Sequence, residues 1–358
     1  MIQQTLREIA HDCDFQIGGT LSPAAVLSDE TYKKTIGTQF NLIVPAGTMK
    51  IHNIRTTPTT WDFSRGDRAI EFAQQHNQAV RGHTLCWHLS VADWMKSLTS
   101  LELEKVLKDY IFETVSRYRG QVQSWNVLNE AINDHGRARP SLWKQIENFI
   151  PKCYQWAHEA DPEAELLYCD YRVHTVGRWK AVSKMIREMK ANHVPIHGVG
   201  LQLHHDMFRS LAISTVRLTG AIQDLRQLGV NVHIAEVTIA IQDPIQKMPD
   251  AVKFKMHAAA YRQLLKAALA GGVKSFNIWG PTDLFSQHVP VETTPGIFDV
   301  NYQPKAAYWA LQDELLQYKR QLNQSAQHSL ADTGNKSGSD TSVSGGMRFQ
   351  LPCPSAIR

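Results

Sequence analysis

Trp125-Asn126-Val127-Leu128-Asn129-Glu130 and His233-Ile234-Ala235-Glu236-Val237 are short, strand-like stretches, each bringing a glutamate to its C-terminal end. A carboxylate at the tip of a parallel strand lies where a strand–helix barrel gathers its chemistry. Two carboxylates facing one cleft are also the minimum equipment for cleaving a glycosidic bond. One protonates the leaving oxygen while the other attacks or stabilises the sugar cation. Either glutamate alone reads equally well as an exposed loop residue, so the surrounding sequence has to decide.

Outward from these two stretches, short apolar runs alternate with longer amphipathic ones. Strands are predicted at Phe15–Leu21, Phe40–Pro45, Ala79–Trp87, Val122–Glu130, Leu166–Tyr171, Gly198–Leu203, Val232–Val237 and Ser275–Gly280. Helical periodicity marks Asp67–His76, Leu101–Arg119, Leu142–Ala160, Arg178–Asn192, Ser214–Leu228 and Ala251–Ala270. Near-continuous apolar strands suit a sheet buried on both faces. Eight strand–helix units favour an α/β fold closed as a (β/α)8 TIM barrel. A doubly wound open sheet is disfavoured because no Gly-x-Gly-x-x-Gly follows the first strand. From Leu322 onward Ser, Gly, Asn, Asp and Thr dominate, too polar to offset ordering entropy. The reading is therefore a barrel domain at residues 1–321 and a low-complexity, disordered tail at residues 322–358.

Composition narrows the function classes. The 358 residues are 43% hydrophobic and 20% charged, enough for a large core, and the formal charge of +4 is small. No cluster of Lys and Arg suggests nucleic acid as a partner. Nothing approaches the roughly 18 consecutive apolar residues of a membrane span. The five cysteines, Cys13, Cys86, Cys153, Cys169 and Cys353, have neither zinc-like spacing nor the look of a disulfide framework.

Polar and aromatic groups recur at the other strand ends. The second strand leads to Lys50, and the third carries His83, Leu85, Trp87 and His88. The sixth carries Gln202, His204 and His205, and Trp279 follows the eighth. Residues two apart in a strand share a face, so His83, Leu85 and Trp87 are expected to point one way, as are Gln202 and His204. Such groups in core-like segments cost stability unless paired or solvated in a cleft. Trp143, Trp156, Trp179 and Trp309 fall in helical patterns and read as packing.

The ordered motifs Arg81-Gly82-His83-Thr84-Leu85-Cys86-Trp87-His88, Trp125 to Ala131, Gly198 to His204, Trp279-Gly280-Pro281-Thr282-Asp283 and Phe298 to Lys305 carry a resemblance. From about Leu6 to Leu316 the chain resembles the family 10 glycoside hydrolases, the retaining endo-β-1,4-xylanases. The resemblance implies that Glu130 is the general acid/base and Glu236 the nucleophile, about 5 Å apart in a retaining enzyme. It also implies that Asn129 meets the 2-hydroxyl of the sugar being cleaved and that His204 orients Glu236. Gln202 would contact the cleavage region, Lys50 and His83 the glycone hydroxyls, and Trp87 and Trp279 the apolar walls. No metal or cofactor is implied. The partner would be xylan or a related β-1,4-linked plant polysaccharide, and the protein a monomer. A polymeric substrate implies secretion, although Met1-Ile2-Gln3-Gln4 runs into a helical pattern without a visible leader; cytoplasmic residence is the alternative.

The chain also departs from that family. Pro45-Ala46-Gly47-Thr48-Met49-Lys50 has Ala46 and Gly47 where Glu and Asn usually grip the second glycone sugar. Thr238 replaces an Asp that polarises the histidine, and Gln287 stands where a second Trp usually covers the glycone side. These changes predict a weakened subsite two sugars from the scissile bond, weaker support for Glu236, and tolerance of glucosides. They also keep open a carbohydrate-binding protein on an impaired scaffold. A metal-dependent hydrolase using His83, His88, His204 and His205 is a third reading, lacking a His-x-His at the end of the first strand.

Overall fold

The computed structural model describes residues 4–242, 247–285 and 293–336. Eight parallel strands close into one barrel in chain order: β1 (Gln16–Leu21), β2 (Leu42–Pro45), β3 (Ala79–Trp87), β4 (Ser124–Asn129), β5 (Glu165–Tyr171), β6 (Gly198–Asp206), β7 (Asn231–Ala240) and β8 (Ser275–Ile278). The (β/α)8 TIM barrel expected from the sequence is the observed fold. Gly18 of β1 sits opposite Leu42 of β2 on one side and Asn277 of β8 on the other, which closes the ring. The strands are buried almost throughout, because helices cover them outside and side chains fill them inside.

Local chemistry sets the helix ends. Reciprocal capping boxes, Thr5 with Glu8 and Thr99 with Glu102, start the helices Leu6–Asp12 and Ser100–Arg117. Gly272, left-handed at φ 81°, stops Asp250–Gly271. The stretch Leu142–Ala160 is two elements, not the single helix its periodicity predicts. A 3-10 turn at Leu142–Gln145 and the helix Phe149–Ala160 are separated by Asn148, which adopts a left-handed φ of 55°. The C-terminal helix Ala306–Lys336 runs across residue 322, where composition puts the start of a disordered tail. A helix already nucleated on packed residues propagates readily through sequence that could not start one. Trp143 and Trp156 are core residues, whereas Trp309 is 38% exposed and stacks edge-on against Tyr308, so it is not buried packing.

Inside the barrel, below the strand tips, lies a polar layer. Arg81, only 1% exposed, donates to Ser124 Oγ at 3.1 Å and Ser275 Oγ at 3.1 Å and meets His233 Nδ1 at 2.9 Å. Since His233 Nδ1 accepts, its Nε2–H faces Glu165 Oε1 at 3.3 Å. This layer ties β3, β4, β5, β7 and β8 together. The neighbouring Gly82 is required for packing, because a Cβ there would fall 2.1 Å from the Trp125 ring.

The ladder is irregular where the site begins. Register shifts fall between His83 and Cys86, Asn126 and Leu128, Leu201 and Gln202, and Ile234 and Val237. Such irregularities re-aim side chains next to active sites. They explain why Leu85 joins the apolar core while His83 and Trp87 face the cleft, against the simple two-residue alternation.

Candidate active site

A cleft of about 1000 Å³ opens at the C-terminal ends of the strands. Lys50, His83, Trp87, Asn129, Glu130, Gln202, His204 and Glu236 all line it. Trp279 alone among the expected residues does not. It is 2% exposed and stands edge-on to His83 and His204, with ring centroids at 5.1 and 6.3 Å. Trp279 thus backs the two imidazoles. Gln287 lies outside the described residues.

Glu236 is held on several sides. His204 Nε2 meets Oε2 at 3.0 Å, Gln202 Nε2 donates to Oε1 at 3.1 Å, and His83 Nδ1 stands 3.9 Å from Oε1. The same Gln202 amide donates to Asn129 Oδ1 at 3.0 Å, linking β6 to both glutamate-bearing strands. Behind His204, Nδ1 meets Thr238 Oγ1 at 3.0 Å, and that hydroxyl donates to the Trp279 carbonyl at 3.0 Å. With its proton on the carbonyl, the hydroxyl oxygen accepts from His204 Nδ1–H. A neutral relay therefore occupies the place that resemblance assigns to a carboxylate. His83 is itself fixed by the Asn126 carboxamide at 2.9 Å.

Glu130 follows β4 directly and adopts a left-handed φ of 54°. A non-glycine residue held there costs about 1–3 kcal/mol and needs surrounding support. Its N–H donates to the Cys169 carbonyl at 2.8 Å, and its carbonyl accepts from Arg139 Nε at 2.7 Å. Arg139 also donates to the Tyr171 hydroxyl at 2.7 Å. Burial is the main cause that raises the Glu130 pKa, and the nearby Glu236 charge adds to it; the Trp87 indole, Arg139 and Gln202 oppose the rise. His88 Nδ1 lies 4.0 Å from Glu130 Oε2, yet burial and then Arg139 push the imidazole down to about 4. Neutral above that pH, His88 does not hold Glu130 ionised.

Across the cleft, Lys50 Nζ lies 4.2 Å above the Trp87 ring. Burial depresses its pKa, and the carboxylates of Glu236 and Glu130 oppose that change. Trp143 Nε1 donates to the Trp87 carbonyl at 2.9 Å, fixing that backbone from behind. The replaced pair is also clear: Ala46 is buried against Trp279 and Val44, and Gly47 has a φ of 75°. Sequence reasoning missed Arg139, Tyr171 and Asn126. Arg139 lies beyond the strand tips, where periodicity is silent, while Tyr171 ends β5 and Asn126 sits in the quoted β4 motif. Cys13, Cys86, Cys153 and Cys169 are buried free thiols. Among the described residues no three His, Cys, Asp or Glu side chains converge as a metal-ligand set. None of the described helices is long and apolar enough to cross a membrane.

The arrangement supplies a carboxyl poised to hold a proton beside one that accepts from Gln202 and meets His204, in one cleft at the barrel mouth. Comparison with known proteins agrees with that chemistry. Residues 5–314 match the model of Glycosyl hydrolase family 10. A beta-1,4-xylanase of Dictyoglomus thermophilum is 32% identical over 324 residues, 86% of this chain and 90% of the relative. The structure of xylanase 10B from Thermotoga petrophila RKU-1 in complex with xylobiose superposes with a TM-score of 0.83 at 30% identity, covering 89% of this chain and 99% of that one. Native xylanase 10B from Thermotoga maritima gives a TM-score of 0.81 at 30% identity, covering 88% and 99%. Together the barrel, its paired glutamates and these matches mean that the chain belongs to glycosyl hydrolase family 10, the endo-1,4-β-xylanases.

Proposed function

We propose that this protein hydrolyses internal β-1,4-xylosidic bonds of xylan by double displacement with retention. The observation that carries the reading is the unequal pair of carboxyls in one cleft. Burial favours the protonated form of Glu130, whereas Glu236 receives hydrogen bonds from Gln202 and meets His204. Glu236 attacks the anomeric carbon while Glu130 gives its proton to the leaving oxygen. Glu130 then takes a proton from the water that releases the sugar. Asn129 lies beside the acid, its Nδ2 3.4 Å from Glu130 Oε1, and meets the 2-hydroxyl. Lys50 and His83 bind the glycone hydroxyls against Trp87. His204 and Gln202 keep Glu236 oriented, with Trp279 behind.

The intact holders of both carboxyls favour turnover over a binding-only protein. Loss of Glu and Asn side chains at Ala46 and Gly47 weakens the second glycone subsite. A polymeric substrate favours action outside the cell, on a xylan chain, by a monomer.

The test follows the first product of xylan cleavage by NMR. A β anomer is expected; an α anomer would sink the double displacement. Glu236→Ala should abolish reducing-sugar release. Glu130→Ala should lower xylan turnover by about 10²–10⁴-fold. That loss should be much smaller in the first chemical step for aryl xylosides whose leaving group needs no proton. Matched aryl xyloside and aryl glucoside substrates test the tolerance expected from Gln287.

A further inference from the structure

The wall of the cleft opposite Lys50 and His83 is built from the end of β6 and the residues that follow β5 and β6, and three arginines make it cationic. Arg172, His174, His205, Arg209 and Arg217 all line it. Glu130 and Glu236 are the only acidic residues lining the whole cleft among the described residues. Cleaving a neutral sugar chain requires no such field. Two carboxylates stand behind the wall, but they offset only part of it. Asp134 lies 3.9 Å from Arg172 and is shared with Arg178, and Asp206 lies 3.4 Å from Arg209. Arg217 has no ion-pair partner among the described residues.

On the same wall the imidazoles of His174 and His205 pack edge to face, with ring centroids 6.1 Å apart. His174 Nδ1 and His205 Nε2 are buried from solvent and find no hydrogen-bond partner. Burial first, then a neighbouring imidazole (His205 for His174, His204 for His205) and arginines including Arg172, lowers the pKa of both, His174 to about 4, with Asp206 opposing the shift at His205. They therefore act as neutral hydrogen-bonding groups, and the guanidiniums supply the charge. A guanidinium fork matches a planar carboxylate better than any other side chain does.

We propose that this wall binds the carboxylate of a uronic-acid branch on the leaving-group side of the chain, so that the protein selects acidic xylan. The assignment rests on the proposed xylan-hydrolase reading, in which Lys50 and His83 face the glycone and the opposite wall faces the leaving group. A neutral arabinosyl or acetyl branch would gain nothing from the arginines.

The deciding experiment is calorimetric. Glu236→Gln protein is titrated with a xylo-oligosaccharide bearing a hexuronic acid branch and with the same compound after its carboxyl is reduced to the alcohol. Exposed charge pairs are individually weak, so the acidic ligand should bind about three- to tenfold tighter at low salt. That ratio should fall toward one in high salt, and likewise in Glu236→Gln protein carrying Arg172→Gln and Arg217→Gln. Equal binding of the two ligands, or a ratio that the arginine substitutions leave unchanged, overturns the proposal. Reducing-sugar release from the carboxyl-reduced polymer by the parent protein is scored separately. Its absence would remove the hydrolase reading, while the binding ratio would still decide whether the wall recognises a carboxylate.

Discussion

Glu130 works against the stability of the fold whenever it is ionised. Its carboxyl is buried beside a second carboxyl, and its folded pKa is raised above the ordinary glutamate value of 4.5. The folded state therefore binds this proton more tightly than the unfolded chain does. The stabilising contribution is complete below the unfolded pKa and is lost as pH rises through the folded one. Glu130→Gln removes the ionisation and should raise the melting temperature at pH 7, with the gain shrinking below pH 4.5. The same substitution should flatten the alkaline limb of kcat/KM for an aryl xyloside with a good leaving group. In the parent that limb should fall above the usual glutamate range. Thermal melts across this pH range, in which Glu130→Gln is no more stable than the parent at neutrality, would refute the argument.

At the scale of elements, the loop after β2 tests the weakened subsite. Gly47 has a φ of 75°, and a Cβ there would meet only Asn53 Nδ2 at 3.8 Å. Asparagine tolerates the left-handed region better than other side chains, so Gly47→Asn should fold. One restored neutral hydrogen bond is worth about 0.5–1.5 kcal/mol, or roughly two- to twelvefold in affinity. KM for xylo-oligosaccharides spanning that subsite should fall accordingly; an unchanged KM would argue that the subsite is not limiting. The layer beneath the site gives a second test. Removing one partner from a buried charged network costs about 3–5 kcal/mol, because it leaves the remaining groups unpaired. Arg81→Ala should thus lose several kcal/mol in denaturant unfolding. Arg81→Met keeps most of the volume but none of the hydrogen bonds, so a loss nearly as large is expected if pairing holds the layer, and a much smaller loss would mean that packing does. These elements also mark how far sequence could be read. Every strand was legible because burial on both faces leaves an apolar run, and β3 matches its predicted span from Ala79 to Trp87. The glutamates, Gln202 and His204 were legible as polar breaks at the ends of those runs. Leu85 was misread because the register shift before Cys86 breaks the alternation. The cationic wall was invisible because β6 runs on to Asp206 and His205 looks like a strand's end, while Arg172, Arg209 and Arg217 meet only through the barrel's closure.

For the molecule as a whole, closure is completed by its two terminal helices. The helix Ala306–Lys336 packs against Leu6–Asp12, with Gln312 Nε2 donating to the Gln4 carbonyl at 2.6 Å and Lys319 reaching Asp12 at 2.6 Å. Its Leu311 and Leu315 are fully buried in the core, but residues 320–327 are all exposed. Helical backbone past residue 322 therefore adds length to the element without adding apolar burial over that stretch, and stability follows burial. A chain ending at residue 321 should keep xylan hydrolysis and melt within about 2 °C of the full chain, the shift expected for less than about 1 kcal/mol in a domain of this size. Leu311→Ala or Leu315→Ala in the same helix should cost about 2–5 kcal/mol each. A truncated chain that melts as low as those core variants would show that residues 322–358 belong to the folded unit.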